Sequence, residues 1–491
     1  MASTGLEIAA SAINAATTEI AVTSENIANA QTPGYAAQRA QLAAQPGGDM
    51  YGVGSGVAVT SVAQITNALL SSNNLQAQGA LQSLTASQQV LTGIQDVFPL
   101  GQSAAATSSS ASGTSNTSIA GQLANFWSSW DGISQNPSSL AARTQVVNQA
   151  QGLVTSLNEA STQLSQLATN SLNQITSQVG QVNQLLQQAA NLNAQISTTV
   201  GGGGGANQLV DQLNQVVGQL GQLAGVSVRP AANGEATINI GGVTLVQGYQ
   251  ATLLQVTPPS GSSMAAMSIT TGNIFNAGTG VGTGSVVGTN SGDTPVVMAS
   301  GSIGGLMSGV GPSGTIHSFQ QQLDTVASNL ANLVNTQLGV GFTAAGASGQ
   351  PLFHSTGGAI TASTISLNSA VVADPTLLAA SGTATESANN GSNAQAMAEL
   401  ATSPTLTAAT SPDLAYQQLI TNIGSATQAV DSQVSSQNSV ATQAQQALQS
   451  ATGVNQNTEL TNLMQFQSAY QASAKIVTVI DATIQSLLQA V

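Results

Sequence analysis

Apolar positions recur every seven residues at both ends of this chain. Leu6, Ile13, Ile20 and Ile27 form one row near the start, with Ala9, Ala16, Thr23 and Ala30 three positions further on. Leu463, Tyr470, Val477, Ile484 and Val491 repeat that spacing at the other end, beside Phe466, Ser473, Ile480 and Leu487. A helix turns once per roughly 3.6 residues, so a seven-residue repeat paints one narrow stripe down its side. A stripe that narrow needs a partner helix, because an isolated helix of this kind is marginal in water. The two ends, 1–35 and 453–491, are therefore predicted to pair as coiled-coil helices, with the rest of the chain looping out of that stalk.

The pattern continues inward. A first helix over Thr4 to Ala30 stops at Thr32-Pro33-Gly34-Tyr35, where proline restricts the residue before it and glycine allows a turn. A small β-hairpin follows, then a helix from Asn67 to Val97. Residues 101–118 are a Ser/Ala/Thr/Gly tract with little to bury, read as a flexible loop. Phe126, Trp127 and Trp130 anchor a helical turn as core residues. Asn136-Pro137 looks like a helix start. From there Val147, Val154, Ser161, Ala168, Ile175, Val182, Ala189 and Ile196 keep the seven-residue step, predicting a helix over about 138–198. It would be about 80 Å long and is broken by Gly201 to Gly205. A shorter helix through Leu209, Leu213, Val216, Leu220 and Leu223 folds back.

At Val226 the texture turns to short β-branched runs with Asn-Gly and Gly turns, predicting a β-rich insert over 226–299. Helix returns with Phe319, Leu323, Val326, Leu330 and Val334 on one face. A second mixed insert spans 339–410, with Asp374-Pro375 as a capped helix start, and a helix from about Ser411 leads to the terminal one near Gly453. The fold class is mainly α with β-rich inserts. Residues 36–225, 300–338 and 411–452 make a long-helix bundle domain, interrupted by the two inserts.

Charge narrows the function. Asp, Glu, Lys and Arg make up only 4% of the chain, and four basic against eighteen acidic residues give a formal net charge of −14. Nucleic acid needs basic patches to displace counterions, so it is not an expected partner, nor is an anionic membrane. So sparse and acidic a surface suggests an acidic or variable exterior. There are no cysteines, which removes disulfides, thiolate metal sites and Cys nucleophiles. No stretch approaches the ~20 apolar residues of a membrane span, and a cleavable signal peptide is not expected.

The chemistry of sites is thin. His317 and His354 have no His or carboxylate at metal-ligand spacing. The glycine run has no following Lys-Ser/Thr and is not a phosphate loop. No Gly-x-Ser-x-Gly elbow falls between a strand and a helix. No catalytic, cofactor-binding or metal-binding residues are therefore expected, and neither is an enzyme.

The string from Asn26 to Tyr35, with Asn29, Thr32, Pro33, Gly34 and Tyr35 as its signature, resembles the N-terminal signature of bacterial flagellar rod, hook and hook-associated proteins. Further blocks are similar to the hook-associated branch in the same order: Phe126 to Arg143, Gly225 to Val228, Val372 to Pro375, and Phe466 to Lys475. The acidic residues that the resemblance leads one to expect before the terminal helix are thinned to Glu459. The resemblance implies a secreted structural subunit at the extracellular hook–filament junction, exported through the flagellar type III apparatus and needed for filament assembly. It implies self-association in a tubular ring, with the β-containing inserts projecting outward. The implied partners are the hook protein, a second hook-associated junction protein and an export chaperone. Leu6, Ile13, Ile20 and Ile27, with Leu463, Tyr470, Val477 and Ile484, would then be the assembly interface. A hook or rod subunit of the same superfamily stays open as an alternative. So does a secreted adhesin-like surface protein.

Overall fold

Helix α1 (Ala2–Ala28) ends two residues before the expected stop, and a turn through Thr32 delivers the chain to a hairpin of β1 (Gln38–Gln45) and β2 (Gly56–Gln64). The computed structural model describes residues 2–32, 34–46, 54–98, 118–257, 268–277, 284–289, 294–311, 313–385, 387–401 and 411–489. The tract at 101–117, Pro33 and Val491 lie outside the described residues.

Helix α2 (Ala68–Val97) starts at Asn67, whose side chain accepts from the Leu70 amide. Helix α3 (Ile119–Gln135) carries Phe126, Trp127 and Trp130, all buried. Phe126 packs edge-on to Trp130 with ring centroids 6.2 Å apart and meets Phe353 of the second insert at 5.9 Å. Helix α4 (Leu140–Gly201) is the spine, 62 residues and about 90 Å long. Its cap differs from the expected one. Ser139 accepts from the Ala142 amide, whereas Asn136 closes the end of α3. Asn and Ser both suit a cap, and the turn that Asn136 makes out of α3 leaves Ser139 facing the free amides of the next helix.

Helix α5 (Asn207–Ala224) folds back on α4 after the glycine run. The β-rich insert is one antiparallel meander in sequence order: β3 (Val226–Pro230), β4 (Ala236–Ile240), β5 (Val243–Gln247), β6 (Gln250–Thr257), β7 (Ser268–Ala277) and β8 (Gly284–Thr289). Ala236, Ile238 and Ile240 alternate inward, and β5, β6 and β7 lie on α4. Helices α6 (Gly301–Val310) and α7 (Thr315–Val340) return to the bundle. The second insert holds the two-stranded β9 (Phe353–Ser355) and β10 (Ile365–Leu367), then α8 (Ser369–Ala373) and α9 (Ser392–Glu399). Asp374-Pro375 opens a single 3-10 turn rather than a longer helix. Helix α10 (Pro412–Thr452) runs along α2, and α11 (Gln456–Gln489) closes the chain.

With so few charges available, amides dock the helices onto the strands. Asn193 on α4 is fully buried. It donates to Ala236 O and accepts from Ala236 N, both at 2.9 Å. Asn183 makes the same two-way pair with Leu254 of β6, at 2.9 and 2.7 Å. Asn335 on α7 does so with Phe353 of β9, at 2.7 and 3.1 Å. A side-chain amide presents an N–H donor and a carbonyl acceptor side by side, so it can pair with both the C=O and the N–H of one strand residue from the flank of a helix.

Candidate assembly interface and its joint to the bundle

The two ends of the chain lie side by side and antiparallel. Gly5 faces Ile480, whose Cδ1 would lie 3.2 Å from a Cβ at position 5. Asn26 faces Glu459 at the other end of the contact. At about 100° per residue, Gly5, Ala9, Ala16 and Thr23 share one face of α1, and Ala9, Ala16 and Thr23 are buried. The hairpin covers a neighbouring face through Ser11, which accepts from the Val57 amide at 3.2 Å, and through the buried Ala15 and Val22.

The row of larger residues is placed differently from the smaller one. Leu6 is 42% exposed, and Ile13, Ile20 and Ile27 are half-buried on the flank opposite the hairpin. On α11, Leu463, Val477 and Ile484 are half-buried and Tyr470 is 42% exposed. Small side chains let the backbones approach, so the Ala/Thr row takes the close contact and the Leu/Ile row is left at its edge. Among the described residues of α11, Glu459 alone is buried. Leu460, Met464, Ile476 and Val479 point away from α1 and are 48%, 62%, 51% and 54% exposed.

A polar joint fastens this pair to the bundle. Asn26, 1% exposed, donates to Gln38 O at 2.8 Å and to Glu459 Oε2 at 3.3 Å. Its Oδ1 accepts from the Gln38 amide and from the Tyr35 hydroxyl, both at 2.9 Å. Burial, then Glu25 and Asp211, push the Tyr35 phenol up to about 12. Gly34 is at φ +83°, and a Cβ there would lie 3.1 Å from Gln215 Cγ on α5, so the turn is pressed against that helix. Asn29 donates to Glu25 O and accepts from the Thr32 hydroxyl, which holds the turn in shape. From α5, Asn207 donates to Gln38 Oε1 at 3.0 Å and Val62 O at 2.9 Å. The Ala37 amide donates to Thr452 O at 2.9 Å, which ties in the end of α10.

A second tie joins two blocks that are distant in sequence. The guanidinium of Arg143 is buried, donates twice to Pro137 O and once to Leu378 O, and lies near the Asp374 carboxylate. His317 pairs with Gln321 at 2.8 Å and His354 with Ser355 O at 3.0 Å. Among the described residues no group of three or more His, Cys, Asp or Glu could hold a metal ion, and no helix is long and apolar enough to cross a membrane.

Residues 106–353, half of the chain, match the family model described as the flagellar hook-associated protein FlgK helical domain. The chain belongs to the FlgK family. Residues 6–35 also match the flagella basal body rod protein model, and 444–490 match the C-terminal model of the flagellar basal body rod FlgEFG proteins. The curated relatives bear the name flagellar hook-associated protein 1. The Escherichia coli K12 protein is 26% identical over 98% of each chain, and the Bacillus subtilis one is 26% identical over 99% of this chain and 97% of that one. The Salmonella typhimurium protein is 30% identical over 54% of this chain and 47% of its own. The solved structure of the flagellar hook junction protein FlgK from Burkholderia pseudomallei shares the fold, with a TM-score of 0.61 and 18% identity over 77% of this chain and all of that one. This FlgK-family chain is thus a hook-associated structural component of the bacterial flagellum. Its family associates with other flagellar parts, and the helical-domain match separates it from rod and hook subunits.

Asn207 and Asp211 of the joint escape a sequence reading. They are single polar residues of α5, and nothing in the spacing of that helix ties them to the turn or the hairpin. Glu459 is the exception, because it is the one acid left in the first turn of the terminal helix.

Proposed function

We propose that this chain joins the flagellar hook to the filament as one subunit of a tubular ring, and that the α1–α11 pair is the surface through which subunits assemble. The observation that carries this is the open face of α11. Leu460, Met464, Ile476 and Val479 remain 48–62% exposed after α1 has packed, although burying one such side chain is worth about 1.5–3 kcal/mol. The exposed Leu6 and the half-buried Ile13, Ile20 and Ile27 extend that face across the pair. Neighbouring copies complete it, with the bundle and the two inserts turned outward. The hook protein below, a second hook-associated junction protein above and an export chaperone before assembly are the partners this role requires. The name of the Burkholderia relative, a hook junction protein, supports the location.

The test is Ile20→Asp or Ile480→Asp in the native flagellum. Either variant keeps the bundle folded, since neither residue belongs to its core, but fails to enter the hook tip. Hooks are then left without filaments, and filament protein appears in the medium. Variants that still carry filaments would remove the pair as the joining surface.

A further inference from the structure

The joint gathers acidic groups from four elements. Glu25 comes from α1, Tyr35 from the turn, Asp211 from α5 and Glu459 from α11. Asp211 is the only charged residue of α5 and is nine-tenths buried. Its carboxylate accepts from the Gln64 side chain and the Ala36 amide, while Oδ1 has no hydrogen-bond partner among the described residues. Glu25 faces it from α1 and the Tyr35 phenol from the turn. Glu459 reaches the same cluster through Asn26 and Tyr35. On the hairpin the basic residue is Arg39, which is exposed next to the buried Gln38 and so points to the opposite side of the strand. A buried carboxylate with one oxygen unsatisfied, facing another carboxylate, is costly when ionised.

We propose that this joint is a proton-operated latch, in which a proton on Asp211 holds the signature turn, the hairpin and α5 together and its loss loosens them. The terminal pair is then fixed firmly on the bundle in an acidic medium and hinges more freely towards neutral pH. The latch belongs to the single chain and holds whatever the terminal pair assembles with, so it stands or falls separately from the junction role.

Burial raises the Asp211 carboxyl from its ordinary 3.8 to about 6. A raised carboxyl stabilises the closed joint fully below its unfolded value and loses that effect as pH rises through its folded one. The window is therefore about 4 to 6, and the full effect corresponds to at most about 100-fold in the opening equilibrium.

The experiment is amide hydrogen exchange of the full chain at residues 34–38 and 207–213 from pH 4 to 7, corrected for intrinsic rates. In the wild type, protection falls by tens-fold up to about 100-fold across that range. In Asp211→Asn, a neutral side chain of the same shape, protection stays at the acid level and the slope disappears. Should that variant fold poorly, the carboxyl carbon of Asp211 in the labelled wild type provides the reading, titrating near 6. Flat wild-type protection, a slope that survives in Asp211→Asn, or an Asp211 carboxyl titrating near 4 would each overturn the latch.

Discussion

Asn26 on the first helix donates to Glu459 on the last, 3.3 Å apart in space and 433 positions apart in sequence. The same Asn26 amide holds Gln38 by both its backbone groups. One side chain therefore fixes the two ends of the protein to each other and to the hairpin. Asn26→Ala strands the Gln38 backbone and the Tyr35 hydroxyl in a buried place, at a cost of about 1–3 kcal/mol for each unsatisfied group. The expected outcome is lost exchange protection over 26–38 and 455–463 with the bundle unchanged. Asn26→Asp should behave almost as badly, since it removes the donor and opposes Glu459.

The asparagine clamps on α4 and α7 make a second prediction. Asn193→Ala leaves the N–H and C=O of Ala236 unpaired in the core, and Asn183→Ala does the same for Leu254. Each should lower stability by roughly 2–4 kcal/mol, with Asn193 the costlier because it also holds Gly248 O. Denaturant unfolding measures the loss. Exchange should locate it in the β-rich insert rather than the stalk.

Arg143 holds the second insert to the spine through hydrogen bonds to backbone oxygens, with the Asp374 carboxylate nearby. Arg143→Met should free the segment around Leu378 and cost about 2–4 kcal/mol, and Arg143→Lys should not restore it, because an ammonium cannot span the two acceptors as a planar fork does. Limited proteolysis across 375–401 would report the release.

Three buried or half-buried carboxylates give the protein a pH signature. Burial raises Asp211, Asp324 and Asp413, even though Asp324 accepts from the Ala362 amide and faces His317, and Asp413 accepts from Trp127 Nε1 at 2.9 Å. Raised carboxyls favour the fold most below their unfolded value of 3.8 and lose that contribution as pH climbs through the folded values, about 6 for Asp211. The exposed Asp374 is shifted down and opposes the trend only at lower pH. The melting temperature should therefore rise between pH 7 and pH 5, against the usual acid loss. Replacing Asp211, Asp324 and Asp413 by Asn should flatten the curve.

Much of this architecture is legible in the letters because it is periodic. The seven-residue rows give α1, α4 and α11, and the switch to alternating β-branched residues at Val226 gives the meander. What the period cannot say is which neighbour covers which row. Ala9 and Leu6 both read as seam positions, yet α11 closes on the small row and leaves Leu6 at its edge. The amide clamps are illegible for a different reason. Asn183, Asn193 and Asn335 stand among many Asn and Gln of the same helices, and only the meeting of helix flank and strand backbone distinguishes them. The Arg143 and Asp374 blocks both carry the family resemblance, but their contact depends on the fold of the second insert. The choice of Ser139 over Asn136 as cap turned on a single turn's geometry.

The central claim is that the outer face of the terminal pair is open in the single chain and covered in the flagellum. The protein has no cysteine, so one engineered thiol reports on one place. Val479→Cys, at a position 54% exposed and turned away from α1, should react readily with a maleimide in the isolated chain and become protected in purified intact flagella. Equal reactivity in the two states would contradict the account.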